Sequence, residues 1–109
     1  MNDIIETMEL PSKEGFTLRL SALVDFTPIS DTFEDEQVKE VIERINSGEW
    51  LYFCAKVTAY KKGIELSSDY LGGCVYEGLE DFAECSGYVD DMINTVVNEA
   101  KETIKELTN

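Results

Sequence analysis

Residues Trp50–Tyr76 read WLYFCAKVTAYKKGIELSSDYLGGCVY, and their alternation decides the fold. Leu51, Phe53, Ala55, Val57 and Ala59 fall on one face of a period-2 strand, with Trp50, Tyr52, Cys54, Lys56, Thr58 and Tyr60 on the other. Lys61-Lys62-Gly63 is a polar break ending in glycine. After it, Ile64, Leu66, Ser68 and Tyr70 are expected to share a face of a second strand. The pair makes a hairpin, and every other apolar segment needs its sheet as a packing surface.

Upstream, residues 3–10 give a short alternating run with Ile4, Met8 and Leu10 on one side and Glu6 interrupting them. Pro11 to Gly15 reads as a turn. Phe16, Leu18, Leu20, Ala22, Val24 and Phe26 then alternate without a break, so an antiparallel pair with residues 3–10 is expected. Pro28 cannot donate to a ladder and ends that strand. A helix follows, with Asp31 or Thr32 as its cap and Glu34, Asp35 and Glu36 in its first turn. Its apolar stripe is Val38, Val41, Ile42 and Ile45, and Ser47-Gly48 stops it.

Downstream, Gly72-Gly73 predicts a bulge or tight turn, and Cys74-Val75-Tyr76 a little more strand. Gly78 to Cys85 predicts a short helix presenting Leu79, Phe82 and Ala83. Tyr88 to Leu107 predicts a long one with Val89, Met92, Ile93, Val96, Val97, Ala100, Ile104 and Leu107 on one stripe. The expected architecture is a single α+β domain over residues 1–109. It is a two-layer domain, a four-stranded antiparallel sheet of two hairpins with helices packed on one face, in the order ββαββαα.

A chain of 109 residues, 43% of them hydrophobic, holds one modest core and not two. No apolar run approaches the length of a membrane span, and MNDIIETMELPSKEG lacks the basic and apolar regions of a secretory signal, so a cytoplasmic location is expected. Cys54, Cys74 and Cys85 have no C-x-x-C spacing and the chain has no histidine, which argues against zinc and predicts small buried thiols. Without histidine the commonest general base is absent too, and no nucleophile elbow, phosphate loop or dinucleotide fingerprint occurs. Neighbouring acids such as Asp90-Asp91 and Glu80-Asp81 point about 100° apart on a helix and do not converge on one ion. No enzyme, metal or cofactor is therefore expected.

Charge is the outlier. The 23 acids and nine bases leave a net charge of −14, which repels nucleic acid and attracts basic proteins. Its distribution says more than its total. Between Lys62 and Lys101 there is no base, while Glu65, Asp69, Glu77, Glu80, Asp81, Glu84, Asp90, Asp91 and Glu99 fall in that interval. Asp25, Asp31, Glu34, Asp35 and Glu36 fill a second base-free interval between Arg19 and Lys39. Acids three and four apart on a helix lie about 5–6 Å from one another, near the spacing of phosphates along a strand. Glu77, Glu80, Asp81 and Glu84 make such a row, and Asp90 and Asp91 are expected to extend it past Gly87. The bland alternative for both clusters is an ordinary solvated face.

Trp50, Phe53-x-Ala55-Lys56-Val57-Thr58-Ala59, Gly63-x-Glu65-Leu66, Asp69-Tyr70-Leu71-Gly72-Gly73-Cys74-x-Tyr76, Glu80-Asp81-Phe82 and Gly87-Tyr88-x-x-Asp91-Met92 together resemble small acidic proteins of bacteriophages and other mobile elements. The resemblance covers roughly residues 50–92. It implies an inhibitor of host defence, of the anti-CRISPR or anti-restriction kind, whose acidic surface mimics DNA in charge and occupies a basic, nucleic-acid-binding groove of a host protein. The partner-binding residues expected are Glu77, Glu80, Asp81, Glu84, Asp90 and Asp91, with Asp31, Glu34, Asp35 and Glu36. Trp50, Tyr52 and Tyr60 are expected as an aromatic anchor on the exposed strand face. The nine bases are more than the purest DNA mimics carry, which leaves open a mixed charged and aromatic interface. The alternative is a homodimeric structural or assembly module joined through that aromatic face.

Overall fold

The computed structural model describes residues 3–108, without the side chain of Thr32. Strands β1 (Ile4–Lys13), β2 (Phe16–Val24), β3 (Leu51–Lys61) and β4 (Ile64–Tyr76) form one antiparallel sheet in the order β1-β2-β3-β4. Helices α1 (Ile29–Thr32) and α2 (Asp35–Asn46) fall between the hairpins, and α3 (Leu79–Cys85) and α4 (Tyr88–Thr108) follow β4. This is the α+β architecture that the alternation predicts. No helix among the described residues is long and apolar enough to cross a membrane.

Both hairpins close with the same device. Glu14 and Gly15 have φ of 52° and 86°, and Lys62 and Gly63 have 53° and 78°. Two successive positive φ values match the right-handed twist of the flanking strands, and glycine takes the second position at little cost.

The core lies between the sheet and the last two helices. Phe16, Leu18, Leu20 and Ala22 of β2 and Phe53, Ala55, Val57 and Ala59 of β3 are buried against Leu79 and Phe82 of α3 and Val89, Met92, Val96, Val97 and Ala100 of α4. Phe53 and Phe82 meet edge to face at 5.6 Å, and Tyr76 meets Phe82 at 5.1 Å, favourable geometries for aromatic rings. The Ser67 hydroxyl donates to the Val96 carbonyl at 2.6 Å and ties β4 to α4.

Four local expectations are corrected. First, β1 runs through Pro11 to Lys13 instead of turning there. Pro11 is tolerated because β1 is an edge strand and its register shifts between Leu10 and Lys13. Second, Leu66 does not share a face with Ser68 and Tyr70. Ala59 pairs with Ser67 and Tyr60 with Glu65, so Leu66 is the extra residue of a bulge and packs against the core. Third, β2 ends at Val24, and Phe26 is left 75% exposed. Fourth, neither Asp31 nor Thr32 begins the main helix. The chain turns extended at Phe33, and Glu34 holds the N-cap position of α2.

The stripe on α2 is real but its setting is local. Val41 is buried, yet it lies outside the core cluster that α3 and α4 share with the sheet. The helix ends where Gly48 adopts φ of 83° and Trp50 donates its N–H to the Arg44 carbonyl at 3.1 Å.

Candidate functional site

The glycine pair of β4 is held by a carboxylate from β2's end. Phe53 pairs with Cys74 and Ala55 with Leu71, so Gly72 and Gly73 form the expected bulge opposite Cys54. Asp25 Oδ2 accepts from the Gly73 N–H at 2.8 Å and Oδ1 from the Thr27 N–H at 2.9 Å. Burial pushes the Asp25 carboxyl up, but these N–H donors outweigh it and hold it below the usual aspartate range. Only glycine suits the bulge: Gly73 has φ of 69°, and a Cβ at Gly72 would come within 3.3 Å of Asp25 Oδ2. Asp25 is thus a structural clip.

The acids of α3 do gather. Glu80, Asp81 and Glu84 line one open depression together with Glu77, which lies before α3 and not on a helical row with them, and Glu6 of β1 joins from the helix side of the edge strand. Sequence reading missed Glu6, because nothing local to residues 3–10 says that α3 will lie beside them. Glu80 and Asp81 sit in the first turn of α3, where the dipole favours them, and Asp81 Oδ2 accepts from the Glu77 N–H at 3.4 Å. Glu84 in the last turn has no such compensation.

Bases do not neutralise this cluster. The ion pairs among the described residues join Arg19 to Glu9, Arg44 to Glu40 and Glu49, Lys56 to Glu65, and Lys101 to Glu14. None reaches Glu6, Glu77, Glu80, Asp81 or Glu84. Exposed Cys85 registers the resulting field: a hydrogen bond to Asp81, with the negative charges around it, holds its thiol above the ordinary value.

The other predicted acids lie elsewhere. Asp90 lines a separate depression with Lys13 and Asn94 beside the end of β1, where Lys13 Nζ donates to Asn94 Oδ1 at 2.6 Å. Asp91 is exposed on the first turn of α4. Gly87, at φ of 76°, breaks the chain between these two and the α3 row, so the expected extension past the glycine does not line the same surface. Asp31, Glu34, Asp35 and Glu36 are all exposed around the junction of α1 and α2, a second acidic region on different elements.

The aromatic anchor is corrected. Trp50 precedes β3 rather than belonging to it, is half-buried, and carries the Arg44 guanidinium over its ring at 4.8 Å. Tyr52 is half-buried and its hydroxyl donates to the Thr27 carbonyl at 2.9 Å. Tyr60 lies under the Arg19 guanidinium, 5.1 Å from the ring centre. These rings are engaged within the chain and do not form one free platform. Tyr70, on the same side of the sheet and 54% exposed, was not singled out by the sequence.

Thiol burial is also mixed. Cys74 is buried, and burial pushes its thiol up to about 11, whereas Cys54 is half-buried and Cys85 exposed. All three are free. No group of acids and cysteines among the described residues is arranged to hold a metal ion.

No family model, curated protein or solved structure matches this chain.

Proposed function

We propose that the chain is a non-enzymatic inhibitor that binds the basic groove of a nucleic-acid-handling host protein, acting in the bacterial cytoplasm as an anti-CRISPR-like factor. The observation that carries this reading is the α3 surface, where Glu6, Glu77, Glu80, Asp81 and Glu84 share one depression free of ion-paired bases. Clustered like charges cost stability, and a device for solubility alone would disperse them. A basic partner offsets that cost on binding, and the net charge of −14 steers the encounter. Asp31, Glu34, Asp35 and Glu36 add a second contact zone in this reading. Direct binding to nucleic acid or to an anionic membrane is disfavoured by the same charge.

The homodimer alternative receives less support, because Trp50 and Tyr52, two of the three residues of its expected contact, are committed to Arg44 and to Thr27.

The test is capture of bacterial nucleic-acid-binding proteins on the immobilised chain, with release by salt. The expected result is release as salt rises from about 0.1 to 1 M, over which the screening length falls from about 10 to 3 Å. Captured protein should lose its DNA or RNA binding in proportion to the chain added. Changing Glu77, Glu80, Asp81 and Glu84 together to their amides should abolish capture. Binding indifferent to ionic strength or to those four changes would overturn the proposal.

A further inference from the structure

We infer that the helix-free face of the sheet carries a separate site, a groove that takes a small monocarboxylate with a flat apolar body, of the size of benzoate. It lies on the other side of the sheet from the core and does not rest on the inhibitor reading.

Register builds the groove. Thr7, Ser21, Lys56 and Tyr70 lie side by side across the strands, as do Glu9, Arg19, Thr58 and Ser68 in the next row. Short Thr7, Ser21 and Thr58 lie among long Arg19, Lys56, Tyr60 and Tyr70, and the space above the short side chains is a concavity of about 320 Å³. Its floor is closed without a second layer: Ser21 and Leu23 are each 5% exposed and Thr58 is 2% exposed.

The Ser21 hydroxyl points to a ligand. It has no hydrogen-bond partner among the described residues, although Thr58 next to it shares one with Ser68 at 3.3 Å. No buried polar side-chain atom of the described residues is sealed off without a partner, so this hydroxyl opens into the groove. With no partner in the protein, both its donor and its acceptor capacity are open to whatever fills the groove.

Charge selects the ligand. Arg19 and Lys56 both line the groove, each backed by a ring, with Lys56 Nζ 5.6 Å from the centre of Tyr70. Their carboxylate partners, Glu9 and Glu65, are 59% and 51% exposed at the rim. Exposed pairs of this kind are weak and exchange readily for a carboxylate that arrives with less water around it. A dianion would meet both rim glutamates and the acidic field of the whole chain, which favours a single negative charge. Ile4, 63% exposed at one end of the groove beside buried Leu23, offers the apolar surface for the ligand's body. In the bound arrangement the ligand's oxygens accept from Lys56 and from the Ser21 hydroxyl.

Sodium benzoate titrated into the full chain, followed by backbone amide NMR at constant ionic strength, tests this, with benzamide as the uncharged control. Saturable shifts centred on Thr7, Ser21, Lys56, Thr58 and Tyr70 are expected, with benzamide about tenfold weaker. Lys56→Met should weaken benzoate by about tenfold, and Ser21→Val, which fills the floor, should abolish binding. Ser21→Ala is the milder control that keeps the fold and weakens binding without blocking the groove. Shifts that do not saturate or spread over the whole surface, or equal binding of benzamide and benzoate, would overturn the inference.

Discussion

On β2 the side facing α3 and α4 is Phe16, Leu18, Leu20 and Ala22, none more than 3% exposed, while the side facing away is Thr17, Arg19, Ser21 and Leu23. Both sides bury residues, by different means. The first does so with a second layer of helices. The second uses long side chains of the sheet itself, laid against aromatic rings of neighbouring strands: Arg19 reaches over Tyr60 and Lys56 over Tyr70. The helix side thus stores the cohesion that makes the chain fold, and the other side is closed only by contacts that can be exchanged. A surface of the second kind can change partners without unfolding the protein.

Substitutions on the two sides should separate accordingly. Phe53→Ala removes a fully buried ring that touches Tyr76 and Phe82, and a loss of about 3–5 kcal/mol in urea unfolding is expected. That is a large part of the stability of a domain this size. A loss under about 1 kcal/mol would mean that the helix layer is not the main source of cohesion.

Asp25→Ala cuts the clip on the β4 bulge and leaves the N–H groups of Gly73 and Thr27 without their acceptor. A loss of about 1–3 kcal/mol at neutral pH is expected. Its pH dependence has a definite sign. The folded value lies below the unfolded one, so the stabilisation is complete above about pH 4 and fades as pH falls through the folded value. The gap between wild type and variant should therefore be constant from neutral pH to about 4 and close below it.

Arg19→Gln, on the open face, should change unfolding by no more than about 1 kcal/mol, because its pair with Glu9 is exposed. A cost as large as that of Phe53→Ala would erase the distinction between the two sides. The smallest effect expected is on rate alone. Cys85 should react with iodoacetamide more slowly than an isolated thiol, and faster in Asp81→Asn or at high salt, with no change in unfolding. Cys74, buried at about 11, should stay unlabelled in the native protein.

Much of the fold was legible because period-2 alternation and glycine-ended turns are local signals. Leu51 to Ala59 and Phe16 to Ala22 lie on the faces their spacing predicts, and α4 begins at Tyr88. What escaped depends on register between distant strands. The bulge that turns Leu66 inward is set by how β4 meets β3, and nothing in residues 64–70 announces it. Pro11 looked like a turn because its tolerance depends on β1 lying at an edge. Helical i, i+3 and i+4 spacing relates only Glu80, Asp81 and Glu84, because Glu77 precedes α3; Glu77 and Glu6 join them through the way the chain enters the helix and through tertiary packing. The groove around Ser21 was equally hidden, since its rows run across the strands rather than along the chain.

Trp50 is the chain's one tryptophan, and the Arg44 stack places it where α2 hands over to β3. Its emission therefore reports the seating of that helical arm, whereas far-ultraviolet dichroism reports the sheet and α4. A gap between the two melting curves would measure how independently the arm lets go of the body.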